Sequence, residues 1–452
     1  MFTLTEAAEQ IRTRQLSPLE LTRACLAQIE RLNPALNAFV TITAETALEQ
    51  ARQAEMEVMA GHWRGPLHGI PIGLKDLVDT AGVRTTAASN QFRERVPAED
   101  AELVRRLKQA GAVLAGKLNL HEFAFGVSGI VSAFGPVKNP WDLERITGGS
   151  SSGSAAAVAA GLCVAAIGTD TAGSIRCPSA LCGIVGHRPS AGLLSCKGVV
   201  PFSTSFDTIG PMTSTVRDTA LLLGALVAQT GSAGPNDWAA LDDSVAGLKV
   251  GVASKGFFDD LQPEVAARVE GAVAVIQRLV AHVGDVKLDA GAHRTIFNAE
   301  IYEYHEAMVT TTPELYQPQT LPRILKCAGI SATDYIRDWR SLAAERHKAE
   351  ELFQQVDVVI TPTVPVAAPR ISELEALGVN GLRPFETKYL LRNTSPFSVL
   401  YWPSVSVPCG FTHEGLPVAL QISGKPGADA NVLRLAHAYE QATQWHKRRP
   451  SE

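Results

Sequence analysis

Over the first sixty positions apolar residues recur at helical spacing. Leu4, Ala7, Ala8 and Ile11 fall on one stripe. Ser17-Pro18-Leu19-Glu20 reads as a capping box with proline at the first helical position, and Leu21, Cys25 and Ile29 continue a second stripe. From His68 the pattern changes to short apolar runs punctuated by glycine, at 69–74, 112–116 and 164–168, with a helical stretch at 100–110 between them. Such runs predict buried strands that lead into loops, and their alternation with helices predicts an α/β fold. Between 231 and 375 the chain turns helical and more charged, notably at 263–283 and 332–356; strands return at 358–362 and 404–408. The expected division is therefore a helical segment at 1–60 packed on the core and a chemistry-bearing core at 61–230. A helical insertion or cap at 231–375 would contribute to a substrate pocket, and 376–452 would complete the sheet.

Composition narrows the function classes. The 452 residues carry 41 Lys+Arg against 46 Asp+Glu, a net charge of −5, and the one basic run is His446-Lys447-Arg448-Arg449. No nucleic-acid groove is advertised, and the run reads as a solvated tail. Seven cysteines, an odd number spread over the chain, argue against a disulfide framework. The start lacks a basic and then apolar leader, and the most apolar segment, 155–167, is broken by Gly161 and shorter than the roughly 20 residues of a membrane span. A soluble cytoplasmic protein is expected, with no nucleic acid or membrane partner; self-association is left open. The eleven histidines show no metal-binding spacing and no Cys-x-x-Cys occurs, so neither metal nor other cofactor is expected.

The densest chemical signal is Gly148-Gly149-Ser150-Ser151-Ser152-Gly153-Ser154 running into an alanine-rich helix, followed by Gly168-Thr169-Asp170-Thr171-Ala172-Gly173-Ser174-Ile175-Arg176. Glycines permit close backbone approach, and amides at a helix start favour an anion. Taken alone, the first stretch leaves three readings open. A phosphate cradle lacks the Gly-Lys-Ser/Thr that should follow, and a nucleophile elbow centred on Ser151 lacks a buried strand before it. A glycine-serine cap without chemistry is the third.

Together with Lys75-Asp76 after the 69–74 run, these motifs closely resemble the amidase signature family, over most of the chain. That resemblance implies a large mixed sheet with helices on both faces. It also implies a Ser-Ser-Lys triad of Lys75, Ser150 and Ser174, the serines twenty-four positions apart, with a cis peptide at Gly149–Ser150. Backbone N–H groups of Thr171, Ala172, Gly173 and Ser174 would form the oxyanion hole. Many members read Gly-Gly-Ser-Ser-Gly-Gly, whereas Ser152 stands here at the fifth position. In this scheme Ser174 attacks an amide carbonyl, Ser150 relays the proton, and Lys75 accepts it, which requires its pKa to fall from about 10.4 towards about 7–8. Desolvation supplies that fall, so Asp76 should point away from the amine.

Candidate substrate contacts are Phe125, Gly126, Gly149, Arg176, Phe397, Tyr401 and Trp402, although Arg176 is also placed to brace its loop against Asp170 or Asp207. The stretch 389–403 contains no acidic residue to hold a substrate ammonium, and its aromatic residues suit an apolar pocket. The expected activity is hydrolysis of uncharged amides, aryl amides first, with esters and carbamates (urethanes) presenting the same carbonyl. The alternatives are the glutaminase component of a tRNA-dependent amidotransferase, which the 361–363 and 406–410 segments also resemble, and a catalytically silent scaffold on this fold.

Overall fold

Residues 2–227 and 241–451 of the computed structural model are described, so the boundary expected between 230 and 231 lies outside the described residues. In chain order the strands are β1 (Phe39–Ile42), β2 (Pro71–Lys75), β3 (Val113–Leu118), β4 (Lys138–Asn139), β5 (Asp142–Ile146), β6 (Ala165–Asp170), β7 (Val185–Arg188), β8 (Thr208–Thr213), β9 (Lys249–Val252), β10 (His282–Asp285), β11 (Val358–Pro362), β12 (Ser404–Phe411) and β13 (Pro417–Gly424). Eleven of them form one sheet, in the order β1-β3-β2-β6-β8-β7-β12-β13-β11-β9-β10; β4 and β5 pair with each other. The sheet is mixed: β3, β2 and β6 run parallel, as do β11, β9 and β10, while the strands between are antiparallel.

The expected helical insertion at 231–375 is therefore interleaved with the sheet, since β9, β10 and β11 fall within it. Likewise the N-terminal segment contributes β1 at the sheet edge, beside β3. Strands as short as β9 and β10 carry few residues, and helical patterns around them conceal them: the stretch expected as one helix over 263–283 breaks at Leu279 and re-enters the sheet at His282.

The helices are α1 (Leu4–Arg12), α2 (Pro18–Leu36), α3 (Ala44–Met59), α4 (Glu102–Gln109), α5 (Ser152–Ala159), α6 (Arg176–Cys182), α7 (Val216–Val227), α8 (Pro263–Leu279), α9 (Arg294–Thr311), α10 (Leu321–Leu325), α11 (Ala332–Glu350), α12 (Ile371–Ala376), α13 (Gly378–Phe385), α14 (Ser395–Val399) and α15 (Asp429–Thr443). Strand alternation assigns each face its partners. On β6, Ala165 and Ile167 join the core built with α1, α4, α7, α8 and α15, while Ala166 joins the core built with α5. Every residue of α5 is buried, and none is larger than valine. Its small side chains let the helix lie close against the sheet, and serines fasten it there: Ser154 Oγ donates to Ile167 O (3.1 Å) and Ser151 Oγ, just ahead of the helix, to Thr169 O (3.1 Å).

Ser17 caps α2 by accepting from the amides of Leu19 and Glu20 (both 3.1 Å), but the reciprocal half of the expected box is replaced. The Ser17 hydroxyl donates to Glu55 of α3, a partner distant in sequence and invisible to a local motif. At Gly153 of α5, a Cβ would fall 2.6 Å from both Asn119 N and Asn119 O. Gly153→Ala is expected to lower stability by about 1–3 kcal/mol through overpacking, read as a lower urea midpoint at unchanged m-value.

Candidate active site

Lys75 ends β2, a central strand buried along its whole length. Its ammonium nitrogen donates to Ser150 Oγ and to Thr169 Oγ1, each at 2.7 Å, and the side chain has no exposed surface. Burial pushes Lys75 down to about 7, against the opposing pull of the Asp207 and Asp170 charges. Asp76, the adjacent residue, lies on the other side of the strand. Its carboxylate accepts from the Thr86 amide (2.9 Å) and hydroxyl and sits 3.4 Å from Lys117 Nζ, so it leaves the Lys75 amine alone.

Two turns meet above this amine. The peptide bond Gly149–Ser150 is cis, Ser150 O accepts from His121 N (3.1 Å), and Ser151 N donates to Ser174 O (3.1 Å). Ser150 and Ser174 are thus brought together through neighbouring backbone, although no hydrogen bond joins their hydroxyls among the described residues. The hydroxyl of Ser174 has no protein partner there, and Ser174 is 4% exposed whereas Lys75 and Ser150 are fully covered. Of the three, Ser174 is the one that reaches the surface. Ser151, the centre of the elbow-like motif, spends its hydroxyl on Thr169, accepting from its amide (3.2 Å) as well as donating to its carbonyl.

The amides of Thr171, Ala172, Gly173 and Ser174 make no hydrogen bond to a protein acceptor among the described residues, while the next two, of Ile175 and Arg176, point to Asp170 Oδ2 (3.1 and 3.4 Å). Gly173 adopts φ +142°, and a Cβ there would strike the Thr394 hydroxyl, which itself donates to Ala172 O (2.7 Å). Glycine is required for that turn. Successive unpaired amides of this kind can converge on one oxygen.

Arg176 is turned inward and braces its loop on Asp170. Its guanidinium donates to Asp170 through Nε (3.0 Å) and Nη2 (2.9 Å), to Thr394 O and Gln421 Oε1 (both 2.9 Å), and to Ser398 Oγ (2.6 Å), and it is wholly buried. All five donors are used. Burial works against ionisation of Asp170, but Arg176 and Arg188 hold its carboxyl well below the usual range. Phe397 and Trp402 are likewise enclosed and offer no surface to a ligand. Both are fully buried in a cluster with Phe257, Val356 and Val359, because α14 turns Phe397 into the core and the chain then enters β12 with Trp402 packed beside it and against Phe353 (4.5 Å between rings).

The remaining candidates stay near the turns. Gly126 covers His121, whose ring a Cβ would overlap, and Gly149 lies against Gly129. Burial pushes His121 down to about 3, so it stays neutral. Phe125 stacks edge-on against Phe202 (5.1 Å), and Tyr401, at φ +63°, donates to Ser205 O (2.7 Å) beneath the Arg346 guanidinium (3.3 Å). These rings join Phe206 and Phe297, stacked 4.2 Å apart, in one aromatic cluster. Thr169 and Asp207 are site residues that sequence reasoning did not nominate. A threonine inside a strand carries no signal until its partner is known, and Asp207 drew notice only as a possible brace for Arg176.

A family model described as Amidase matches residues 20–433. The chain belongs to the amidase family. Among its relatives, the glutamyl-tRNA(Gln) amidotransferase A-subunit of Roseiflexus sp. (strain RS-1) is 39% identical over 99% of this chain and 98% of its own length. The native peptide amidase of Stenotrophomonas maltophilia is 31% identical, with a TM-score of 0.86 over 100% of this chain and 98% of its own. A 6-aminohexanoate cyclic dimer hydrolase is 29% identical, with a TM-score of 0.89 over the same shares. The large mixed sheet is therefore that of this family of amidases.

Among the described residues no helix is long and apolar enough to cross a membrane, and no group of His, Cys, Asp or Glu is arranged to hold a metal ion. All seven cysteines carry free thiols. Because Arg176 serves the fold, Arg176→Leu should strand the Asp170 carboxylate in the interior and cost about 3–5 kcal/mol of stability, read by chemical denaturation. A change confined to KM at unaltered stability would contradict that assignment.

Proposed function

We propose that the protein is a serine amidohydrolase for uncharged amides, with aryl amides its best substrates and esters and carbamates within reach, working as a chain on its own. The observation that carries this reading is the buried Lys75 amine bonded to Ser150, with a pKa of about 7. At neutral pH much of it is a free base, a condition that costs roughly 5 kcal/mol relative to an ordinary lysine.

In the proposed reaction the Ser174 oxygen attacks the carbonyl carbon while its proton passes to Ser150, whose own proton passes to Lys75. The carbonyl π electrons move onto oxygen, where the amides of residues 171–174 hold the anion. Collapse expels the amine, which takes the proton back from Lys75 through Ser150, and leaves an ester on Ser174. Water enters by the same path and releases the acid. Unliganded catalytic hydrogen bonds are commonly open, so the scheme expects the Ser174 hydroxyl to reach Ser150 once substrate is bound.

The preference for uncharged substrates draws on the aromatic cluster of Phe125, Phe202, Phe206 and Tyr401 beside the turns. A second reading has its own support, since the amidotransferase relatives align along nearly their entire length. Release of ammonia from glutamine only in the presence of a partner protein would favour it, whereas hydrolysis of an acyl nitroanilide by the purified chain favours an independent amidase. A mass adduct on Ser174 after treatment with a fluorophosphonate or sulfonyl fluoride would rule out the silent scaffold.

Ser174→Ala and Lys75→Met should each lower kcat/KM for an acyl nitroanilide by at least about a thousandfold. Because the ammonium form of Lys75 is the inactive one, kcat/KM of the wild type should rise with pH through about 7 and level off above it. A profile flat from about pH 5.5 to 8.5 would remove Lys75 from the role of base.

A further inference from the structure

We propose that Asp207 is a positioning residue of this site, one that holds the oxyanion turn through the Thr171 hydroxyl and supplies the negative charge in whose field Lys75 works. The inference rests on Lys75 acting as the base. Its ground is the pairing of β6 with β8, which is antiparallel and sets Asp170 opposite Thr208. The residues just beyond that pair, Thr171 and Asp207, therefore face each other where the strands end.

The Asp207 carboxylate receives the Thr171 hydroxyl on one oxygen and the amides of Phe202 (2.8 Å) and Ser203 (3.1 Å) on the other. One carboxylate thus joins the oxyanion turn to the loop that brings Phe202 and Phe206 to the aromatic cluster. That loop is anchored in turn on α9, where Glu300 accepts the hydroxyls of Ser203 and Ser205 and the Ser205 amide (3.1 Å).

The charges around it single Asp207 out. Lys75 of β2 is acted on by two carboxylates, Asp207 more strongly than Asp170. Asp170 of β6 is clamped by Arg176 (2.9 Å) and lies 3.6 Å from Arg188 of β7, so its charge is largely compensated. Asp207 has no ion pair among the described residues; its bonds are to one hydroxyl and two amides. Arg188 reaches it only through the longer-range field, and Cys196, whose thiol touches the Asp207 carbonyl (3.5 Å), is pushed up to about 12 and stays neutral. Enclosure by protein raises the Asp207 carboxyl to about 6, still below the value of about 7 at Lys75, so the carboxyl gives up its proton first as pH rises, although the residue keeps some exposed surface and its field is partly screened.

A lysine desolvated with no anion nearby would be a weaker base, and the ammonium formed as Ser174 attacks would be less stabilised. Removing the Asp207 charge should therefore do two things at once. The acid limb of kcat/KM should move to lower pH, by about half a unit or more, and the plateau rate should fall, by about tenfold. A carboxylate that only braced a loop would lower the rate without moving the limb downward.

The test is the pH profile of acyl nitroanilide hydrolysis for wild type, Asp207→Asn, Thr171→Val and Lys75→Met. Asp207→Asn keeps an acceptor for the Thr171 hydroxyl and removes the charge. Thr171→Val deletes one hydroxyl, raises the Asp207 pKa, and should shift the limb in the same direction by less; it also covers the case of an Asn variant that does not fold. Downward shifts in both support the proposal. Limbs that stay at the wild-type position overturn it while Lys75→Met is inactive, whereas an active Lys75→Met variant overturns the assignment of the base itself.

Discussion

Everything at this site depends on one amine kept out of water. Lys75 ends a strand that lies between two parallel neighbours, so its side chain can leave only into the space roofed by the 148–151 and 168–174 turns. There it meets two hydroxyls, Ser150 and Thr169, and among the described residues no carboxylate within bonding distance. Hydroxyls satisfy an amine without requiring it to be charged, which an ion pair would not allow. The neighbouring buried lysine, Lys117, shows the opposite arrangement: it sits 3.4 Å from Asp76 and bonds the Val78 carbonyl and the Thr85 hydroxyl. Two lysines on adjacent strands thus occupy the same interior with different partners, and burial pushes both below the ordinary lysine value.

Around the amine the structure separates support from contact. Asp170 and Arg176 are wholly internal and make a rigid base for the turn, reaching α14 and β13 through Thr394, Ser398 and Gln421. The four amides left without a partner among the described residues follow directly from this, because Asp170 takes up the two that come next and thereby ends the run at Ile175. The exposed remnant of the site is small: part of Ser174, the turn it sits on, and the aromatic side contributed by Phe125, Phe202 and Tyr401.

Local patterns were readable where the chemistry is local. Glycine-punctuated runs marked β2, β3 and β6 to within a residue or two, because strands buried on both faces need uninterrupted apolar character. The spacing of Lys75, Ser150 and Ser174 rested on family likeness, and geometry adds the bond from the amine to Ser150. What could not be read is what depends on distant partners. Arg176 could serve a substrate or an aspartate until Thr394, Ser398 and Gln421 came within reach from far along the chain. Phe397 and Trp402 carry the composition of a pocket wall, but an aromatic residue is equally at home in a core, and only packing against Phe353 and Phe257 settles it. Strands β9 and β10, four residues each, were hidden inside a segment whose dominant pattern is helical.

The helix α5 has a consequence for how such a site can change. Eight residues, all enclosed and all small, stand behind the Ser150 turn and are held to β6 by serine hydroxyls and to residue 119 by the bare face of Gly153. A wall of this kind offers no room for a larger group and no freedom to recede. New specificity has to be written on the opposite bank, among rings that belong to 125, 202–206 and 401, where bulk can be added or removed while Lys75 and its two hydroxyl partners stay as they are.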